Sequence, residues 1–541
     1  MADRPNRRTE RSPSRRRVFV VGLDGAEADL VEAWMAEGHL PTLRALKARG
    51  CWGRLGSVAD CFSASVWPSF YYGVNPARTD LFSSFQFDPR TLGLTATHAT
   101  ANPNRPFMAF APGLRTIAVD VPVSVPDPEL DALQVVAWGA HAPKHEPASH
   151  PEGLLREVRK VIGSYPLKLL EEEDSAQGDR YYAYLRERLL QGVAARRRLA
   201  SYLLGRDPDW DLFIGVWSEP HSVGHRFWHF MDRDHPWHRA DAPDDLKTAI
   251  RDVYAACDAA LGELLGELPP DTIVLVTSVH GMAPNYNGQE LVARLLERWF
   301  DQDRGDVARN ARPMRALGPD VAAIIRAALP QPVRDTLKHW LPVRLRHLAR
   351  TQVMKSVYDS DRWPAMRAFC LPSDDAGYVR VNVKGREQPG LVEPGAEYEA
   401  LLDELTEELG GLRNLDVDVP VVVKISRPQR MFDGPYRHLL PDLTLTWNTG
   451  HPIRGLRSAR FGDLVDTKRL PRHRSGFHNG NAFVLGAGPG VRQGAMVESG
   501  HILDLAPTVL ALLGHGAPNH LDGRVLEGLL DRAGVTPPNG T

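Results

Sequence analysis

The apolar residues fall into short unbroken runs separated by stretches of helical period. Val18–Leu23 is the first such run, and Thr116–Val121, Gln134–Trp138, Leu212–Trp217 and Thr272–Thr277 share its character. Around them Glu27–Glu37, Pro41–Arg49 and Asp244–Leu268 read as helices, with Pro41 suited to a first turn and Gly50 to a stop. A run that is apolar at every position is buried on both faces, whereas a strand with one wet face alternates. Buried runs alternating with helices predict an α/β fold, a mostly parallel sheet sandwiched by helices.

From Gln289 to Arg362 the pattern changes. This stretch is Arg-rich, helical in period and broken by Pro313, Pro319, Pro330, Pro332 and Pro342, which predicts a helical cap inserted into the core. Strand signals resume at Gly377–Asn382, Pro420–Ile425, Leu443–Trp447 and Ala482–Leu485, and Asp504–Leu513 reads as a closing helix. The expected partition is a disordered basic arm (1–16), a core (17–288 and 363–530), the helical insertion (289–362) and a flexible tail (531–541).

Composition narrows the class. The 541 residues are 43% hydrophobic and 24% charged, as in a globular protein. Lys and Arg number 65 against 67 Asp and Glu, so the net charge of −2 supplies no basic field for a nucleic-acid polymer. The four cysteines, Cys51, Cys61, Cys257 and Cys370, have no close pair, which argues against a zinc knuckle or disulfide framework and fits a reducing compartment. The apolar run after the Arg-rich start is too short for a signal peptide. No stretch approaches the roughly 20 apolar residues of a membrane span. The expectation is a cytoplasmic, soluble protein with no membrane partner.

In an open parallel sheet, ligands bind beyond the carboxyl ends of the strands, so the residues after each apolar run are where chemistry is expected. Asp24 follows the first run. Glu219, His221 and His225 follow Leu212–Trp217 in WSEPHSVGHRFWH, and His280 follows Thr272–Thr277 in VTSVHGM. His478 sits in RSGFHNGNAFVLGAGPG, before a late run. One such aspartate is usually a turn or cap, and one such histidine is usually surface or satisfied core. Their joint placement at several strand ends points to a divalent metal, since imidazole with carboxylate suits Zn, Mn or Fe.

These motifs resemble the alkaline phosphatase superfamily in its type I phosphodiesterase/nucleotide pyrophosphatase branch. The resemblance runs from VFVVGLDGA and LPTLRALKARGCWGRL through SASVWPSFYYGVNPAR, EPHSVGHRFWH, TSVHGM, GYVRVNVKGREQPGLV and LPDLTLTW to GFHNGNAFVLGAGPGV and HILDLAPTVLALLG. It implies an alkaline-phosphatase-like α/β fold. Asp24 matches the first metal-ligating aspartate, Ser63 the Thr/Ser nucleophile, His225 the histidine of D-x-x-G-H, His280 that of S-D-H-G, and His478 the late histidine. The implied reaction is metal-dependent hydrolysis of a small-molecule phosphate ester (diester, pyrophosphate or monoester) by in-line attack of Ser63 through a covalent intermediate. Sulfate or phosphonate esters, transfer to another acceptor, and non-catalytic ligand binding are the alternatives.

The chain departs from the pattern at two ligand positions. His221 stands for the aspartate of D-x-x-G-H, and Val279, which ligates nothing, for that of S-D-H-G. The expectation is one firmly held ion, Zn or Mn, on His221, His225 and His478, and a weak or absent second on Asp24, Ser63 and His280, with Glu219 available as a replacement carboxylate. Ser65 is the alternative nucleophile. His229 reads as supporting or surface, and Trp67, Phe70, Tyr71 and Tyr72 as packing. His473 and His501 read as loop residues, and Asp442, Asp504 and Asp522 as strand-start, cap and turn residues.

Overall fold

The computed structural model describes residues 16–139, 144–167, 178–302, 360–373, 375–465 and 474–531. Nearly all of the basic arm, the end of the tail, His473 and most of the expected insertion lie outside the described residues. The insertion's first helix, Gln289–Gln302, is described.

A nine-stranded sheet forms the centre. Its order is Ala495–Val497, Cys51–Leu55, Ala482–Ala487, Ile273–Ser278, Val18–Leu23, Leu212–Trp217, Thr116–Val119, Ala132–Val136 and Ala148–His150. Val18–Leu23 lies between two parallel neighbours, with Leu23 level with Trp217 and Gly22 level with Thr277. Three strand ends therefore open on one edge. Successive residues feed opposite faces, as strand geometry requires. Phe19, Val21 and Leu23 join the core beneath the helices Ala28–Glu37, Asp179–Arg206, Glu219–Met231 and Ala249–Glu267. Val18 and Val20 join a second core with Val66–Tyr71 and Leu505–Leu512. The expected long helix over Asp244–Leu268 is interrupted at Thr248, leaving a short turn before Ala249–Glu267.

Ala482–Ala487 runs antiparallel to both its neighbours, Ile273–Ser278 and Cys51–Leu55, pairing Phe483 with Ser278 and Ala482 with Leu55. It starts where they end, and this reversal carries the residues before it to the same edge.

The middle strand signals build a different sheet. Ala368–Leu371, Gly377–Val381, Leu443–Trp447 and Val422–Ser426 form a four-stranded antiparallel sheet with its own hydrophobic core. That core also takes in Leu291, Val292 and Leu295 of the Gln289–Gln302 helix and Leu401, Leu402 and Leu405 of the Ala396–Gly410 helix. Asp442, buried at a strand start, accepts from Val381 N at 2.7 Å and pairs with Arg386 at 2.8 Å, a structural role.

Candidate active site

Each expected site residue is set by the end of an element. Asp24 follows Leu23, and its backbone N–H donates to Trp217 O at 2.9 Å, so two strands fix its height. Gly25 then turns the chain with φ +67°, and a Cβ there would come within 3.0 Å of the His221 Cα. Only glycine meets both conditions. The Glu219–Met231 helix starts two residues beyond Trp217, with Pro220 in its first turn, and carries His221 and His225 four apart on one face.

His280 precedes a two-stranded ribbon in which Gly281–Pro284 pairs with Gly476–Asn479 and Met282 faces His478. Buried Glu27 ties this ribbon to the first strand. Its Oε2 accepts from Met282 N and Asn479 Nδ2, both at 2.9 Å, and its Oε1 from Asn481 Nδ2 at 2.8 Å. Ser63 opens a 3₁₀ turn that leads into the Val66–Tyr71 helix. Just ahead of it, Ser57 Oγ donates to Val279 O at 2.6 Å. Val279 itself is fully buried among apolar groups.

The elements bring Asp24, Ser63, His221, His225, His280 and His478 into one cluster. Asp24 Oδ1 accepts from Trp67 Nε1 at 2.7 Å and lies 3.1 Å from His280 Nε2, while Oδ2 lies 3.2 Å from His221 Nδ1. His221 Nε2 is 2.9 Å from His225 Nε2 and 3.3 Å from His478 Nε2. His225 Nδ1 faces Gly476 O at 2.7 Å, and His478 Nδ1 faces Asp375 Oδ2 at 2.7 Å. Ser63 Oγ donates to the same Asp375 oxygen.

These partners assign the tautomers. With the Nδ1 protons of His225 and His478 given to acceptors, both Nε2 atoms present lone pairs to His221 Nε2, which has at most one proton to share. Three nitrogen atoms thus converge on a point that calls for a cation. His221, His225 and His478 form one group of atoms with metal-ligand spacing, and Asp24, His221 and His280 form another. Neutral imidazoles with a carboxylate fit a divalent transition metal.

The electrostatics separate the two groups, favouring a neutral imidazole at His221 and a protonated one at His280. Burial pushes the Asp24 carboxyl up, but the charges of and hydrogen bonds from His221 and His280 outweigh it and hold the group well below the ordinary range. Burial lowers His221 to about 4 against the pull of Asp24, so this imidazole is neutral near pH 7. Burial also lowers His280, but the Asp24 hydrogen bond and charge overcome it and the net shift is upward. Asp375 is pushed up by burial and, more strongly, down by His478 and by hydrogen bonds from His478 and Ser63.

Three expectations change. Glu219 takes no part in the cluster; it turns beneath the sheet, where Arg196 Nε donates to its two oxygens at 2.7 and 3.0 Å and Tyr165 Oη donates at 2.5 Å. A buried carboxylate stays with a buried guanidinium because separating them strands both charges. Ser65 faces away, its Oγ donating to Leu81 O at 2.9 Å. Trp67 packs in the apolar layer as expected but also holds Asp24 and lines the pocket. His229 is buried with Nδ1 2.9 Å from Ser475 Oγ, apart from the cluster. His501 and Asp504 cap the turn before Leu505, and Asp522 accepts from Asn75 N at 2.7 Å.

Sequence reasoning missed Asp375. It lies just ahead of the Gly377–Val381 strand of the second sheet, so no parallel strand end announces it. The acidic pair Asp374–Asp375 before an apolar run was the available signal.

No curated protein matches the chain in sequence. Among solved structures, phosphonoacetate hydrolase from Sinorhizobium meliloti 1021 in complex with phosphonoformate is 14% identical at a TM-score of 0.48, over 92% of this chain and 96% of that one. Murine ectonucleotide pyrophosphatase/phosphodiesterase 5 in complex with AMP is 13% identical at a TM-score of 0.46, over 95% of this chain and 100% of that one. The sequence pattern of the type I phosphodiesterase/nucleotide pyrophosphatase family matches residues 18–451, well over half of the 541, and the chain belongs to that family.

Proposed function

We propose that this chain is a metal-dependent phosphoester hydrolase with Ser63 as nucleophile. Family membership supports the hydrolase class. The observation that carries the metal reading is the meeting of three imidazole Nε2 atoms, at 2.9 and 3.3 Å from a common nitrogen, beside Asp24 and Ser63. His221, His225 and His478 would hold the ion, which supplies positive charge to the phosphoryl oxygens. His221 belongs to both candidate groups, through Nε2 in one and Nδ1 in the other. Serving two ions at once requires it to lose both ring protons, which favours one tightly bound ion per chain.

Ser63 Oγ attacks phosphorus in line with the leaving group, and its proton passes to Asp375 Oδ2, which already accepts from it. The phosphorus–leaving-group bond breaks as the seryl bond forms. Water then cleaves the seryl ester: its oxygen bonds to phosphorus as the P–Oγ bond breaks, Asp375 returns its proton to Ser63 Oγ, and the phosphate departs with the rest of the water. His478, oriented by Asp375, keeps its Nε2 turned to the cluster. A cytoplasmic setting belongs to the same proposal and is supported by four buried, unpaired cysteines. Among the described residues, no helix is long and apolar enough to cross a membrane.

The test is turnover of a bis-aryl phosphodiester, an aryl phosphomonoester and an aryl sulfate with Zn or Mn, alongside Ser63→Ala and a measurement of bound metal. Metal-dependent turnover of a phosphate ester that disappears in Ser63→Ala is expected. Equal rates in both proteins remove Ser63 from the mechanism, and preferred turnover of the sulfate redirects the reading to sulfate esters.

A further inference from the structure

Asp375 is 6% exposed and sits on the turn between the strands Ala368–Leu371 and Gly377–Val381. From there its Oδ2 accepts from Ser63 Oγ and lies 2.7 Å from His478 Nδ1, and its Oδ1 accepts from His478 N at 3.3 Å. Groups on turns are placed less sharply than groups on strands or helices. A displacement of about 1 Å at a reacting group costs about 100-fold in rate, so this turn needs an anchor.

The second sheet supplies one. Trp447, the last residue of the Leu443–Trp447 strand, donates from its indole Nε1 to Asp375 O at 2.9 Å. Gln289, the first residue of the Gln289–Gln302 helix, donates from Nε2 to Leu371 O at 2.8 Å and so ties the start of the same turn. The Trp447 ring is 3% exposed and lies in a slot cleared by two glycines. A Cβ on Gly377 would come within 2.7 Å of its Cζ2, and a Cβ on Gly288 within 3.2 Å of its Cζ3. Gly377 pairs with Leu445, which shares a strand face with Trp447.

A buried indole N–H needs an acceptor. Here the acceptor is the main chain of the residue that takes the Ser63 proton. Phenylalanine at position 447 would serve the packing of the slot; it would leave the Asp375 carbonyl unheld.

We propose that Trp447 is a positioning residue for the reaction. Its indole N–H, seated between Gly288 and Gly377, fixes the main chain of Asp375 so that Oδ2 meets both Ser63 Oγ and His478 Nδ1. Trp447 is not on the pocket wall and acts through Asp375. The inference rests on the hydrolase reading above.

The test uses the full chain loaded with Zn, bis(p-nitrophenyl) phosphate and p-nitrophenyl phosphate as substrates, and two variants. Trp447→Phe removes the donor and keeps most of the ring; Gly377→Ala keeps the donor and pushes the ring aside. Each is expected to lower kcat about tenfold with KM changed by less than about twofold, as for loss of one hydrogen bond and a shift well under 1 Å. In the Asp375→Asn background neither is expected to lower kcat further, since the effect travels through that carboxylate. Leu405→Ala, in the same hydrophobic core, is expected to lower Tm and leave kcat unchanged. A low-field proton resonance is expected from the His478 Nδ1–H given to Asp375, assigned by its loss in His478→Gln, and both variants should move it without any substrate present.

Full kcat in Trp447→Phe, losses that multiply with that of Asp375→Asn, an equal loss in Leu405→Ala, or a resonance that neither variant moves overturns the positioning role. Absence of turnover by the wild type, with the resonance moving as expected, overturns the hydrolase reading and leaves Trp447 as the anchor of Asp375.

Discussion

Loss of Arg196 is expected to cost the fold heavily for a single side chain. It is 2% exposed and donates to Glu219 Oε1 and Oε2 at 2.7 and 3.0 Å, Asp120 Oδ2 at 2.7 Å, Val216 O at 3.0 Å, Ser218 Oγ at 2.8 Å, and Gly139 O. Arg196→Met keeps much of the volume and removes every one of these donors. Asp120 and Glu219 then share a buried space with no guanidinium between them. Breaking a buried pair from one side costs about 3–5 kcal/mol, and here two carboxylates are stranded. Their protonation or hydration returns part of that, so about 4 kcal/mol is the expected loss at pH 7. Urea unfolding followed by tryptophan fluorescence measures it, with the double variant Arg196→Met/Glu219→Gln as the control that relieves one charge. A single-variant loss below about 1 kcal/mol, or no recovery in the double variant, refutes the assignment of this network as the anchor under the site.

Three other outcomes are expected. Asp375→Asn keeps the shape but cannot take the Ser63 proton; kcat should fall about 10²- to 10⁴-fold while metal content, measured by atomic absorption, stays near the wild-type value. His225→Ala should leave the dialysed protein without firmly bound metal while Glu219→Gln retains it, and the reverse result would restore Glu219 as a ligand. Asp80, at φ +54°, is raised by burial to about 6, against one hydrogen bond from Gln86 Nε2 at 2.8 Å. Its folded pKa lies above the unfolded one, so the charged form is disfavoured by folding. Stability is full below about pH 4, falls as pH rises to about 6 and is level above that. Asp80→Asn should therefore gain about 1–2 kcal/mol at pH 7, discounted for partial exposure, and little at pH 4; a gain independent of pH in urea titrations rejects this.

The parallel part of the fold was legible because burial on both faces leaves an unbroken apolar signature, and Val18–Leu23 and Leu212–Trp217 were read to the residue. That same edge rule located Asp24, His221, His225 and His280. It could not separate Glu219 from them, because the first residue of a helix after a strand end has two directions to turn. Its direction is decided by Arg196, 23 residues earlier on the Asp179–Arg206 helix, a helix that the pattern of runs did not reveal. Asp375 was hidden for a related reason: it reaches Ser63 from a second sheet, across 312 positions of chain, and no local period encodes such an approach.

The reversed strand Ala482–Ala487 also dictates how the chain can be assembled. It fills the slot between Cys51–Leu55 and Ile273–Ser278, both made much earlier by the ribosome. Until it arrives, two apolar strand edges stand unpaired in the middle of the sheet, where they invite association with other chains. The imidazole of His478 lies just ahead of it, so the histidine cluster also stays incomplete until this late strand is threaded into its slot.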